Sequence, residues 1–216
     1  MGSNKKSVGI NSFWYSDALV LPMWVTVVTT MSEYDTVNAA PFSLGMPFDV
    51  GAKTPRVIFG GRTGSHTLRK ILETREFVIN KPPWDFLSDV METARFWPFG
   101  ENELDHTRFT AIPSQKVRPP SIEECRQHLE CTLDQFIESG SGQGFVVGRI
   151  LNIVVDEQLV DLPRQERIRA LDLPAYLGDV KKKHYLFGRL GETEQFDLAL
   201  PEKTVRKSLT YSMPWE

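Results

Sequence analysis

Val25-Thr26-Val27-Val28-Thr29-Thr30, Asn38-Ala39-Ala40-Pro41-Phe42-Ser43, Gly60-Gly61-Arg62 with Ser65-His66-Thr67, and Glu76-Phe77-Val78-Ile79-Asn80 follow one another within residues 25–80. The fold turns on how this stretch is read. Residues 24–30 are rich in β-branched side chains, which suit a buried, pleated strand. Residues 31–36 are polar and make a hairpin turn, and residues 37–43 return as a second strand. Pro41 removes a ladder donor, so that strand lies at an edge, a bulge or a strand end. Residues 56–60 form a third strand. Residues 65–74 switch to helical spacing, with Leu68, Ile71 and Leu72 on one face and Ser65 or Thr63 as the N-cap. Residues 76–80 are a short strand that stops at Lys81-Pro82-Pro83.

Working outward, residues 85–95 read as a second helix, 96–100 as an aromatic loop and 101–107 as one more helical turn. Residues 121–139 satisfy two periods. Ile122, Cys125, Leu129, Leu133 and Phe136 fit a helix, whereas Leu129, Cys131 and Leu133 alternate as in a strand. The reading adopted is a short helix over 121–125 and a strand from about 129 to 137. A Gly/Ser loop over 139–144 leads to a long strand over 145–156. Beyond Pro163 the pattern is irregular, with further prolines at 174, 201 and 214. Strands dominate and no βαβ series appears. The expected class is mainly β, a partly closed antiparallel barrel with a few peripheral helices. The expected organisation is a lead-in over 1–17, a barrel domain over 18–162 and a C-terminal arm over 163–216. That arm packs on the barrel or on a second subunit.

Composition narrows the function. The chain has 216 residues and a net charge of −3, with 25 Lys and Arg spread along it. No basic run marks a nucleic-acid footprint. Lys181-Lys182-Lys183 is the one cluster, and it reads as a solvated loop. Cys125 and Cys131 lack zinc or redox-pair spacing, so both are expected as core thiols in a reducing compartment. His66, His106, His128 and His184 show no ligand spacing, and no metal is expected. The apolar stretch over 18–28 is broken by Pro22 and is too short to span a bilayer. Met1-Gly2-Ser3 is like a myristoylation start, but Lys6 stands where Ser or Thr is needed. The expected location is the cytoplasm. Gly140-Ser141-Gly142-Gln143-Gly144 lacks dinucleotide-loop spacing and precedes a strand, so it reads as a hairpin loop.

Several segments together resemble the flavin reductase-like, FMN-binding split-barrel family. They are Thr29-Thr30, Asn38 through Ser43, Arg62 with the helix containing Thr67-Leu68-Arg69-Lys70-Ile71, and Glu76 through Asn80. Asn102-Glu103-Leu104-Asp105, Leu129-Glu130-Cys131 and Val147-Gly148-Arg149-Ile150 continue the likeness in the same order, over roughly residues 20–160. The resemblance implies a homodimer with FMN in a cleft between subunits, and an oxidoreductase that passes hydride or electrons through the flavin. It places the phosphate at Arg62, Ser65, His66 and Thr67. The flavin ring then lies along Asn38, Ala39, Ala40, Pro41, Phe42 and Ser43, with Thr29 and Thr30 beside the ribityl chain or ring.

The residue types are consistent with those roles. A helix N-terminus offers unpaired N–H groups and a positive dipole end, and an arginine adds a bidentate, charge-assisted contact. Each residue also has a plainer reading. Ser65 and Thr67 are capping types, His66 suits solvent, Asn38 and Pro41 shape turns, and Thr29 and Thr30 suit a strand. Two departures from the family pattern stand out. Members that oxidise NADH carry Gly-Asp-His before the long strand, where this chain has Gly142-Gln143-Gly144. The Asp-Lys-Phe of flavoredoxin-like members is replaced by Asp105-His106-Thr107-Arg108-Phe109. The first departure favours an alternative, a flavin binder or electron carrier that does not itself oxidise NAD(P)H. Possible partners are therefore a flavin, a second copy, and NAD(P)H or a redox protein.

Overall fold

Two residues, Ser43 and Leu44, join strands at opposite edges of the main sheet, and that link sets the architecture. The chain, seen in a computed structural model, is described at residues 5, 21–49, 51, 53–181, 184–190 and 193–194. Most of the 1–17 lead-in, Lys182, Lys183 and residues 195–216 of the arm lie outside them. The strands are β1 (Met23–Trp24), β2 (Thr26–Met31), β3 (Val37–Phe42), β4 (Gly45–Asp49), β5 (Arg56–Arg62) and β6 (Glu76–Asn80). They continue as β7 (Ala111–Ile112), β8 (Ser121–Ile122), β9 (Gln127–Glu138), β10 (Gln143–Val155), β11 (Pro174–Lys181) and β12 (His184–Arg189). The helices are α1 (His66–Thr74), α2 (Leu87–Glu92), α3 (Glu157–Val160) and α4 (Arg164–Leu171), with 3₁₀ turns at Trp84–Phe86 and Glu103–His106.

The main sheet is antiparallel throughout, in the order β3-β2-β6-β9-β10-β5-β4. Laid flat, its outer strands would be roughly 28 Å apart at normal strand spacing. The chain from Phe42 to Gly45 reaches at most about 11 Å. The sheet must therefore roll until β3 and β4 come together. Phe42 of β3 meets Phe59 of β5 edge-on across that seam, with ring centroids 5.0 Å apart, and Gly60 N–H extends the β4–β5 ladder to Leu44 O at 2.9 Å. The result is the mainly β, antiparallel split barrel that the sequence leads one to expect.

Alternation along the strands divides two cores. Val28, Phe59, Phe77, Cys131 and Val146 fill the barrel with Leu68 and Ile71 of α1. Val25, Val27, Ala39, Val90, Ile122 and Tyr176 build a second core outside it. β11 and β12 form a separate sheet with β1 and reach that second core through Tyr176. Cys125 and Cys131 are both buried and unbridged. Among the described residues no helix is long and apolar enough to cross a membrane.

Local expectations fail at three places. Residues 121–125 are not a helix. Ser121 and Ile122 pair with β7 as β8, and a turn follows. Pro119 and Pro120 disfavour a helical approach, and Ile122 N–H is taken by Asn80 Oδ1 at 3.0 Å instead of by a helical turn. β4 is an additional strand, and its edge position tolerates Pro47. Residues 164–189 contain a helix and a hairpin where the sequence shows no regular period.

Candidate functional site

The site begins where β5 runs into α1. Thr63 is pinned by its N–H to Gly142 O at 3.1 Å, and Gly142 accepts at φ 73°, a conformation that favours glycine. Ser65 is the N-cap of α1, and its hydroxyl oxygen accepts from Leu68 N–H at 3.3 Å. The first intrahelical bond is Arg69 N–H to Ser65 O. The N–H groups of His66 and Thr67 therefore lie ahead of it, as the geometry of a helix start requires. No acidic residue occupies that first turn. Arg62, at the end of β5, is exposed, and its guanidinium makes no ion pair or hydrogen bond among the described residues.

These groups border a cleft of about 740 Å³. Ala40, Pro41 and Phe42 of β3 line one side, and Trp97 and the highly exposed Phe96 come from the loop after α2. His66 meets the edge of Phe99, with ring centroids 5.1 Å apart. Behind this wall lies a buried polar chain. Glu103 is 5% exposed and accepts Ala39 N–H at 2.8 Å. One orientation of the Asn38 amide satisfies every neighbour. Its NH₂ donates to Glu103 Oε1 at 3.2 Å, and its oxygen accepts from the Thr67 hydroxyl at 3.1 Å. Thr67 thus commits its hydroxyl proton to Asn38, and its backbone N–H stays ahead of the first intrahelical bond. Burial pushes the Glu103 carboxyl above its usual range. Burial likewise lowers the Lys70 ammonium, against the pull of Glu103. Lys70 Nζ donates to Thr36 O at 3.0 Å and Val37 O at 3.4 Å.

Of the residues singled out in the sequence, Asn38, Ala40, Pro41, Phe42, Arg62, Ser65, His66 and Thr67 come together around this cleft. Ser43 lies in an adjoining one. Thr30 pairs with Asn38 across the strands and so shares its face. Its buried hydroxyl has no hydrogen-bond partner among the described residues. Thr29 and Ala39 point to the other face of the sheet. Thr29 donates to Pro120 O and accepts from Asn80 Nδ2, while Ala39 enters the second core. Glu103 and Lys70 have no role legible in the sequence beyond the runs Asn102-Glu103-Leu104-Asp105 and Thr67-Leu68-Arg69-Lys70-Ile71 of the family likeness, and the Glu103 partner Ala39 is 64 residues away.

A family model described as a flavin reductase like domain matches residues 19–170, which takes in the barrel, the cleft and α1. The chain belongs to that family. The Bacillus subtilis (strain 168) protein YwrF, itself uncharacterized, is 32% identical over 152 residues, covering 66% of this chain and 73% of its own. Component B of a nitrilotriacetate monooxygenase from Bacillus cereus superposes with a TM-score of 0.76 at 23% identity, covering 91% of this chain and all of that one. Flavoredoxin of Desulfovibrio vulgaris (Miyazaki F) gives 0.74 at 20% identity, covering 90% and 98%. At such identities the solved structures establish the shared split-barrel fold.

Proposed function

We propose that the cleft between β3 and the start of α1 binds FMN and that the protein is a homodimeric flavin-dependent oxidoreductase. One observation carries this reading. A guanidinium with no ion pair or hydrogen bond among the described residues, Arg62, stands beside an acid-free helix N-terminus in the lining of a cleft large enough for a cofactor. Arg62 and the N–H groups of His66 and Thr67 hold the phosphate, with Ser65 capping the helix that presents them. The strand from Asn38 to Phe42 runs along the ring, and Ser43 closes its end. Glu103 fixes Asn38 and Ala39 from behind, so that edge does not shift when the ring docks. The unpartnered Thr30 hydroxyl sits on the same strand face as Asn38. When bound, the flavin supplies the hydride or electron transfer. FMN is favoured over larger flavins because a single anion subsite is built.

Membership of the family and the flavoredoxin-like fold support flavin chemistry as such. A second reading, a flavin carrier that does not oxidise NAD(P)H, rests on Gly142-Gln143-Gly144. There Gln143 opens β10 with no titratable side chain. The deciding experiment is the visible spectrum of the protein after incubation with FMN and desalting. Retained flavin bands are the expected result. A protein that emerges colourless and does not quench FMN fluorescence in titration is not a flavoprotein. Bleaching of retained flavin by NADH or NADPH then separates enzyme from carrier.

A further inference from the structure

The larger cleft does not end at Pro41 and Phe42. Those residues, with Arg62 and Ala94, also border a second cleft of about 440 Å³. Its far wall is the β11–β12 hairpin, which lies beyond the residues matched by the family model. Three rings form that wall. The Tyr176 and Phe187 centroids are 5.7 Å apart at 55°, and those of Tyr176 and Tyr185 are 6.4 Å apart at 56°. Tyr176 is buried and backs the wall, while Tyr185 is 52% exposed and leaves ring surface for a guest. Val25, Val90 and Met91 supply apolar surface. Among the described lining residues only Arg62 is charged, while Ser43 and Gln143 bring hydrogen-bonding side chains.

We infer that this second cleft is a binding subsite for a neutral, planar aromatic molecule with ring carbonyl oxygens, a quinone being the type. The placement beside a flavin rests on the reading of the larger cleft given above. The chemistry of the wall selects the class. Among the described residues no carboxylate lines the subsite to receive a cation, and the one guanidinium there, Arg62, is shared with the neighbouring cleft. A flat ring gains face contacts that a puckered, saturated ring forfeits. Gln143 and Ser43 can donate to carbonyl oxygens at the polar side. The volume suits a two-ring molecule and is small for a dinucleotide.

The test is calorimetric titration of the full chain, with and without FMN, using 2,3-dimethyl-1,4-naphthoquinone, whose substituted ring resists thiol addition. The puckered ketone 1-decalone is the comparator. The naphthoquinone binds, and 1-decalone binds at least about tenfold more weakly, the loss of one good ring contact or more. Tyr185→Ala and Phe187→Leu each weaken the naphthoquinone severalfold and leave FMN retention unchanged. Phe187→Tyr, which keeps a ring, retains affinity, so a loss in Phe187→Leu is not a folding failure. Equal binding of both ketones, or naphthoquinone binding indifferent to Tyr185 and Phe187, overturns the subsite. So does the absence of binding to a protein that retains FMN. Hairpin-dependent binding in a protein that takes up no FMN leaves the subsite standing and removes the flavin reading alone.

Discussion

Arg62 reaches the cleft with no carboxylate to hold it, so nothing described in the fold depends on its charge. Arg62→Ala should leave the melting temperature unchanged while weakening FMN by about tenfold or more, the scale of a lost charge-assisted hydrogen bond. Fluorescence titration reads the affinity, and unchanged FMN binding would remove Arg62 from the site. His128 is the reverse case, a polar residue that serves the fold. Asn80 Nδ2 donates to Val27 O and Thr29 Oγ1, so Asn80 Oδ1 is an acceptor. His128 Nδ1, 3.0 Å from it, must then carry the proton. Burial lowers the His128 pKa below 6.5, against the charges of Asp156 and Glu130. The unfolded chain therefore takes up a proton first as pH falls. Stability is unaffected by His128 above about pH 6.5 and declines below it, by at most ~1.4 kcal/mol per pH unit. Burial of Glu103 acts in the opposite sense nearer pH 4.5, so the comparison is with His128→Gln. Urea denaturation at pH 7.5 and about 5.5 should show the wild type losing more stability than the variant over that interval. Parallel losses would mean that His128 does not titrate in this range.

At the scale of elements, legibility followed locality. The β2–β3 hairpin and α1 were readable because their signals are short-range: a polar turn, a β-branched run, an apolar stripe behind Ser65. β8 was misread because Ile122 and Cys125 do carry helical spacing, yet Asn80, 42 residues away, takes the Ile122 N–H. β4 and the β11–β12 hairpin are illegible in the sequence because prolines 47 and 174 mark breaks locally. Only the sheet edge and the strand start make them tolerable. The same distinction separates Arg62, visible beside a helix start, from Glu103, whose meaning depends on a distant backbone N–H. Gly148 shows how tightly the elements are fitted. A Cβ there would sit 2.3 Å from Phe77 Cζ, at the meeting of β10 and β6 in the barrel core. Phe77 is fully buried and edge-on to Phe59, with centroids 5.5 Å apart, so its ring has nowhere to move. Gly148→Ala should cost about 1–3 kcal/mol, as overpacking of a dense core does. A lowered urea midpoint with an unchanged slope is the expected signature. A variant as stable as the wild type would show that the core has slack at this point.

At the scale of the whole molecule, the described residues leave an apolar surface exposed. Phe96, which lines the larger cleft, is 97% exposed, and Phe99 nearby is 65% exposed. On β10, Leu151 and Ile153 are also turned to solvent. Exposed apolar groups beside a cleft, as Phe96 and Phe99 are, mark an interface more often than a bare surface. A second copy of the chain is part of the proposed function, and seated here it would close the open side of the cleft. Sedimentation equilibrium should therefore return twice the mass of one chain. Phe96→Asp places a charge at that mouth while disturbing no described core contact. If the copies meet there, the variant shifts toward the single-chain mass and loses FMN retention in parallel, because each site is then missing its other wall. If the variant stays dimeric, the interface lies elsewhere, with the outer face of β10 the next surface to mutate. If the wild type sediments as one chain and still retains FMN, the cleft is complete in a single subunit, and Phe96 is simply an exposed ring on its rim.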